Sequence, residues 1–387
     1  MSKKTLIILF ILLSFFVSCG INKFLGPKIR SETGYIFNLT IKDNILSFQT
    51  KDSTFVELSY QNKNNQTDKY RGWTAGNAAI HHTYYLPVNP EHEISYEMSL
   101  SAYYKNNSSV FQDTAFVFVS TMTPQSLLKV HFLNVQQGDA MLIQSPDGKN
   151  MMVDGGYGTR RSQSWQGGGV PIALNYLINN DVSHLEYIIE THRHEDHFGG
   201  LNDIRNSHIA HDLYISPNQP QGFVVGSRLS LGNDVKFDFL NINYPPYPFP
   251  TNNINNTSIV LKATYGDAEF LFTGDIDGDI QNWLYDEGFD LSVDVLKVSH
   301  HGSSANRTSD ELFLSKTLNQ FTKIAILSFG LNNPYNHPRA IDRFNQFFTY
   351  STNRTSNMPS GKNNYHDDCG HIVVYSDGKM VFVRTER

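Results

Sequence analysis

Between residues 33 and 120 apolar and polar side chains alternate with a period of two. Phe37-Asn38-Leu39-Thr40-Ile41 and Ile94-Ser95-Tyr96-Glu97-Met98-Ser99-Leu100 each place their apolar members on one face of an extended chain, and 115–119 is a short apolar run. The breakers Asp43-Asn44, 62–65, 87–90 and Asn106-Asn107 fall between these runs. Half-buried strands separated by turns predict an antiparallel sandwich, here an Ig-like β-sandwich domain over 33–120. Its expected role is that of a spacer, and its many tyrosines would also suit a glycan or protein partner.

Beyond 121–127, read as a linker, the pattern changes. The segments 130–135, 140–144, 150–154, 185–191, 258–264, 268–273, 293–298 and 323–329 read as strands. Helical periodicity near 172–178 and 310–318 falls between them, and Asp277 is placed to cap a further helix. Strands alternating with helices over 128–387 predict an α/β layered domain. Because the period switches at Pro124, a fragment starting near Ser126 is expected to fold alone.

Composition narrows the class. The 387 residues are 40% hydrophobic, 18% charged and 13% aromatic, which suits a folded chain rather than a disordered one. A net charge of -6 excludes a broadly basic nucleic-acid footprint, although bound cations could still attract phosphates. At the start, Lys3 and Lys4 precede an apolar run over 6–17 that ends in Ser18-Cys19-Gly20. This is the grammar of a secretory signal, and the run is shorter than the roughly 20 residues of a spanning helix. Phe16-Val17-Ser18-Cys19 is similar to a bacterial lipobox. The resemblance implies a signal peptide over 1–18, an acylated Cys19, and a tether over 19–32 that anchors the protein in the bacterial envelope, periplasmic or outer-membrane. Cys369 is the one remaining cysteine, so lipidation of Cys19 excludes an intramolecular disulfide.

The chemistry is concentrated after the apolar run that ends near Thr191. His192-Arg193-His194-Glu195-Asp196-His197 offers four donors in six residues, with Glu195 expected to face outward. Alternate residues His192 and His194 can reach one cation, and Asp196 and His197 can turn towards a second. Imidazole and carboxylate donors suit Zn²⁺, and Mn²⁺ or Fe are compatible.

Further strings share an order with a known family. Leu133-Asn134-Val135-Gln136-Gln137-Gly138-Asp139-Ala140, Met152-Val153-Asp154-Gly155-Gly156, Phe272-Thr273-Gly274-Asp275, Asp294-Val295-Leu296-Lys297-Val298-Ser299-His300-His301-Gly302-Ser303 and Tyr335-Asn336-His337-Pro338 run from about 130 towards the C-terminus. With the histidine motif they resemble the metallo-β-lactamase superfamily, and specifically the hydrolase domain of ComEC-type DNA-uptake proteins and its stand-alone relatives. The resemblance implies an αββα sandwich over 128–387 that holds two divalent cations. His192 and His194 are expected at the first cation, Asp196, His197 and His301 at the second, and Asp275 between both. Asp154 is expected to orient a ligating histidine. His300 and His337 are expected to face substrate, so that Asp196, His300 and His337 form the catalytic set.

Two departures matter. Many family members supply a third histidine to the first cation shortly before the T-G-D strand, where this chain has Asn252 to Ser258. That segment resembles the N-x-x-S of ComEC-type members, with Asn255 as a supporting residue, and it implies more open coordination. Histidine also stands at 194 where the family often has aspartate, which favours zinc. The expected function is a metal-dependent phosphodiesterase acting on nucleic acid or an envelope phosphodiester outside the cytoplasm, on a small or polymeric substrate. The alternatives are hydrolysis of a lactam, lactone or thioester, and a non-catalytic envelope-binding lipoprotein.

Overall fold

The computed structural model describes residues 35–89, 93–104, 109–121, 126–159, 170–242, 253–303, 307–318, 321–339, 341–354 and 365–387. The leader, Cys19, the tether and most of the linker lie outside the described residues.

Six strands form the N-terminal region: β1 (Ile36–Lys42), β2 (Ile45–Asn62), β3 (Asn65–Thr74), β4 (Ala79–Tyr85), β5 (Ser95–Tyr103) and β6 (Ser109–Val119). All pair antiparallel, as the alternation requires. The 18-residue β2 serves two sheets: its first part pairs with β1 and β4, and its second with β3 and β5. A shared strand distinguishes this arrangement from an Ig-like sandwich of two separate sheets. Tyr35, Tyr60, Tyr70, Tyr84 and Tyr96 are core residues, so most of the tyrosines read as a partner surface are instead packed inside.

The layered region follows with β7 (Leu128–Phe132), β8 (Ala140–Gln144), β9 (Asn150–Gly155), α1 (Ile172–Asn179), β10 (His184–Ile189), α2 (Glu195–Arg205) and β11 (Ala210–Ile215). The second half contains β12 (Arg228–Leu231), β13 (Val235–Asn241), β14 (Val260–Tyr265), β15 (Ala268–Phe272), α3 (Gly278–Asp286), β16 (Val295–Lys297), α4 (Arg307–Thr317), β17 (Ile324–Leu327), β18 (Phe348–Ser351) and β19 (Tyr365–His366). A final hairpin, β20 (Ile372–Ser376) and β21 (Met380–Thr385), returns to the first sheet.

Two sheets stack face to face, and the alternation along each strand sorts its side chains between layers. Met141, Ile143, Met151 and Val153 of the first sheet meet Phe270, Phe272, Val295, Ile324 and Ile326 of the second in one core. The intervening residues face outward onto helices, Leu142 and Met152 towards α1 and α2, and Leu271, Leu296, Ala325 and Leu327 towards α3 and α4. This is the αββα sandwich that the resemblance implied, and an α/β layered domain as the alternating strands and helices predicted.

The boundary at Pro124 does not separate two cores. Strand β21 pairs with β3, Met380 opposite Thr74 and Phe382 opposite Gly72, so one sheet runs from β11 through β7, β20 and β21 into β3, β2, β5 and β6. A Cβ on Gly72 would lie 2.2 Å from the Phe382 ring, so only glycine lets that ring cross the strand. Met380 and Phe382 complete the N-terminal core, while Trp73 belongs to the inter-sheet core, and Phe55 stacks on Phe321 at 4.6 Å. The N-terminal region is thus built into the sheet edge, which is more than a spacer requires.

Truncation should expose this seam. A fragment beginning at Ser126 is expected to lose cooperative unfolding or to aggregate, since it uncovers Met380, Phe382 and the edge of β21. In the full chain, Phe382→Ala should cost about 3–5 kcal/mol in denaturant unfolding. A fragment that unfolds at the parent's midpoint would show that the seam contributes nothing.

Candidate metal centre

The donors stand at strand ends. Strands β9 and β10 are parallel in the first sheet, β15, β16 and β17 in the second, and their C-terminal ends open on one edge of the sandwich. Past β10 come His192 and His194; past β15, Asp275; past β16, His300 and His301. His194 is the N-cap residue of α2, which puts Asp196 in its first turn, where a carboxylate meets the positive end of the helix dipole. Arg193 turns back to Glu190, 3.2 Å away, and so leaves the two flanking histidines facing inward.

Helix α2 reaches the strand ends because two glycine pairs meet. Gly200 donates its backbone N–H to the Gly156 carbonyl at 2.8 Å, and a Cβ on Gly200 would lie 2.0 Å from the Gly155 oxygen. Any side chain there would push Asp196 and His197 out of register with Asp154.

Two donor groups result, joined by one carboxylate. His192 Nε2 lies 3.0 Å from His194 Nδ1 and 3.8 Å from Asp275 Oδ2. His197 Nε2 and His301 Nε2 face each other at 3.3 Å, with Asp196 Oδ2 3.4 Å from His301. Asp275 Oδ2 is also 3.2 Å from His197 and 3.4 Å from His301. Donors around a four-coordinate zinc, bonded at about 2.0–2.1 Å, stand about 3.3 Å apart. The donor chemistry fits divalent cations. Asp275 Oδ1 is buried with no hydrogen-bond partner among the described residues, and a cation would satisfy it.

Outer partners fix each ring. His197 Nδ1 is 2.8 Å from Asp154, whose carboxylate also takes the backbone N–H and hydroxyl of Thr191. His301 Nδ1 donates to the Ser328 carbonyl at 3.0 Å. The N-x-x-S segment is a 3₁₀ turn (Ile254–Thr257) in which Ser258 donates to the Asn255 carbonyl and accepts the backbone N–H of Asp275. Asn255 thus supports the loop through its backbone, while Asn256 accepts the backbone N–H of Asp277. Asp277 is at the N-cap of α3, yet its side chain makes no capping bond; it holds His300 Nδ1 at 3.0 Å.

His300 and His301 both have positive φ, 48° and 53°. Strain of order 1–3 kcal/mol each is held here by the surroundings and parts the two rings. His301 enters the second donor group, and His300 lines a cleft of about 330 Å³ with Tyr157, Glu195, Tyr335 and His337. Glu195 therefore borders the cleft instead of facing outward. A larger cavity, about 640 Å³, lies at the seam beside Lys69, Arg71, Tyr350 and His366 and holds none of the donors.

Charge is divided across the centre. Burial, then the neighbouring His197, holds the pKa of His192 well below 6.5. Burial disfavours charge on His197 and His301 too, but Asp275 outweighs it and holds both well above 6.5. Those protons are what an arriving cation displaces. Burial, then His301 and His300, pushes His337 down to about 3, leaving a neutral ring at pH 7.

The structure brings together every residue expected at the two cations, with Asp154 behind them and His300 and His337 at the cleft. The nearest imidazoles upstream of the N-x-x-S turn, His208, exposed, and His211, on β11, stand apart from both donor groups. Cys369 is buried in the inter-sheet core, its thiol pushed up to about 12 by burial. Arg160 and Arg161 lie outside the described residues. Reading the motifs missed Asp139, Lys297 and Asp277 as supporting residues, although all three sit inside or beside the quoted strings.

Residues 133–314 match the Metallo-beta-lactamase superfamily. The chain is 27% identical over 241 residues to ComE operon protein 3 of Bacillus subtilis, covering 54% of this chain and 29% of that protein. It is 28% identical over 218 residues to competence protein ComA of Neisseria gonorrhoeae, covering 56% and 29%. The chain thus spans under a third of the length of these relatives. A long form RNase Z from yeast is similar over 64% of this chain and 47% of that one, at 11% identity and a TM-score of 0.34.

The outer partners lead to a graded expectation for metal binding. Asp154→Asn, which removes the anion behind His197, should weaken the second cation by about 10- to 100-fold in chelator competition. His301→Ala should lose that cation, and His300→Ala should keep both. Cation loss in His300→Ala with none in His301→Ala would reverse the assignment of the pair.

Proposed function

We propose that this chain, a hydrolase of the metallo-β-lactamase superfamily over residues 133–314, cleaves phosphodiesters with two divalent cations. The observation that carries the reading is the unequal donor supply. The second group has Asp196, His197 and His301, whereas the first has His192, His194 and the shared Asp275, with no third imidazole among the described residues. Coordination left open on that side suits a phosphoryl oxygen. The name of one curated relative, competence protein ComA, together with the ComEC-type resemblance, supports a substrate of the nucleic-acid class.

Bound there, the cations would acidify a water and offset charge developing on the attacked group. The remaining work falls to side chains. Asp275 and Asp196 keep the two donor groups in fixed relation, and Asp154 keeps Nε2 of His197 aimed inward. His300, oriented by Asp277, and the neutral His337 present N–H donors to substrate oxygens across the cleft. Tyr335, 45% exposed and stacked on His337 at 5.6 Å, borders the entrance, where a base or aryl leaving group would lie. Zinc fits the four imidazoles best, and Mn²⁺ or Fe would serve the same donors. Every carboxylate and imidazole expected at the second cation is present, which a degenerate, non-catalytic scaffold would not be expected to keep.

The same reading places the enzyme in the envelope, held at the membrane by acyl chains on Cys19 and acting on a small or polymeric phosphodiester. A glycan or protein partner for the N-terminal region remains part of this proposal.

Two outcomes follow. Asp275→Asn should lower both cation occupancy and hydrolysis of a chromogenic phosphodiester by at least about tenfold, while a chromogenic cephalosporin is left intact by the parent. Cephalosporin turnover exceeding phosphodiester turnover would replace the reading with the lactam alternative. Mass spectrometry of the membrane-extracted protein should find an acylated Cys19 at the mature N-terminus; an unmodified N-terminus at another residue would remove the anchor.

A further inference from the structure

Behind the second donor group lies an ion pair with no exposure to water. Lys297 Nζ is 2.7 Å from Asp139 Oδ2, and both side chains are 0% exposed. Lys297 ends β16 on the face shared by Val295, opposite Phe272 and Ile326, so its stem lies in the apolar layer between the sheets. From there it crosses to Asp139, just ahead of β8 in the other sheet, and donates also to the Val298 carbonyl at 2.8 Å.

An ammonium in such a layer is costly to desolvate, and an apolar residue would fill the position more cheaply. What the ammonium touches is therefore informative. Asp139 donates its backbone N–H to the Asp196 carbonyl at 3.1 Å, and its Oδ1 is 3.4 Å from His301 Nδ1. One Asp139 oxygen also lies within 4.8 Å of donor atoms of His197 and Asp275, which makes this carboxylate a potential third acidic ligand. It has two options, to enter the centre or to stay behind His301, where the lysine holds Oδ2 while Oδ1 faces the ring.

We propose that Lys297 is a positioning residue that holds Asp139 back as the outer partner of His301 and so keeps a coordination place open for an anionic substrate. The inference rests on the two-cation reading above. Two dications facing only Asp196 and Asp275 retain more positive charge than they would with Asp139 among their ligands. Withholding that carboxylate matches the centre to a phosphodiester. Asp139, 3.4 Å from Nδ1, meanwhile shares with the Ser328 carbonyl the task of keeping Nε2 of His301 aimed at the cation.

Three variants of the full ectodomain test this, Asp139→Asn, Lys297→Met and the double. Zn²⁺ is titrated against a chelator, thermal unfolding is followed, and kcat and KM are read on a chromogenic phosphodiester. Asp139→Asn should bind the second zinc about 10- to 100-fold more weakly. Lys297→Met should bind it at least as tightly as the parent while kcat falls about tenfold or more, because the freed carboxylate takes the open place. The double variant should recover thermal stability, having no unpaired buried charge, yet bind the second zinc as weakly as Asp139→Asn. Equal zinc loss in Lys297→Met and Asp139→Asn would overturn the proposal and make the pair merely structural. If Lys297→Met is insoluble, Asp139→Asn decides, since unchanged zinc affinity there overturns it as well. The zinc arm needs no substrate, so a parent that binds two zinc ions without cleaving the phosphodiester would count against the function and not against this inference.

Discussion

Four imidazoles and two carboxylates are held with their donor atoms 3.0 to 3.8 Å apart in a place largely closed to water. Groups of this kind do not gather unaided. Buried carboxylates that face one another need a counter-charge, which protons on His197 and His301 supply until a cation arrives, and the lone pairs and rings stay in place only in stiff surroundings. The sandwich supplies that stiffness through strands β9, β10, β15, β16 and β17, whose inner and outer faces are both packed. His192, Asp275 and His301 then stand three or four residues beyond a rigid strand end, His194 stands five beyond, and Asp196 and His197 ride on the first turn of α2.

The same demand explains the features around the donors. The glycine contact between α2 and the end of β9, the positive φ of His300 and His301, and the 3₁₀ turn under Asp275 each cost something locally. Each also removes freedom that a donor would otherwise have. Rings tied through Asp154, Ser328 and Asp277 face their partners before any substrate arrives, which is what electrostatic preorganisation requires.

How much of this was legible depended on distance along the chain. The donors were, because ligands two and three residues apart leave a local signature, and the inner strands were, because burial on both faces makes them continuously apolar. Helix α2 was harder: Phe198, Leu201 and Ile204 carry its apolar face, but Gly199 and Gly200 sit between them and argue against a helix until their contact with Gly155 is seen. The β21–β3 seam was hidden because alternation reveals which face of a strand is buried and says nothing of which edge it pairs with, here across some three hundred residues. Asp277 looked like a helix cap since its position is a cap; only the fold shows its carboxylate turned to His300. The Asp139–Lys297 pair joins two motifs that look unrelated until the sheets are stacked.

The central claim is that one carboxylate, Asp275, joins two cation sites. X-ray absorption on the zinc-loaded protein tests it most directly, by giving stoichiometry together with a metal–metal distance. The account predicts two zinc ions per chain and a zinc–zinc vector of about 3.5–4 Å. A single zinc at saturation, or two with no zinc–zinc scattering, would contradict it.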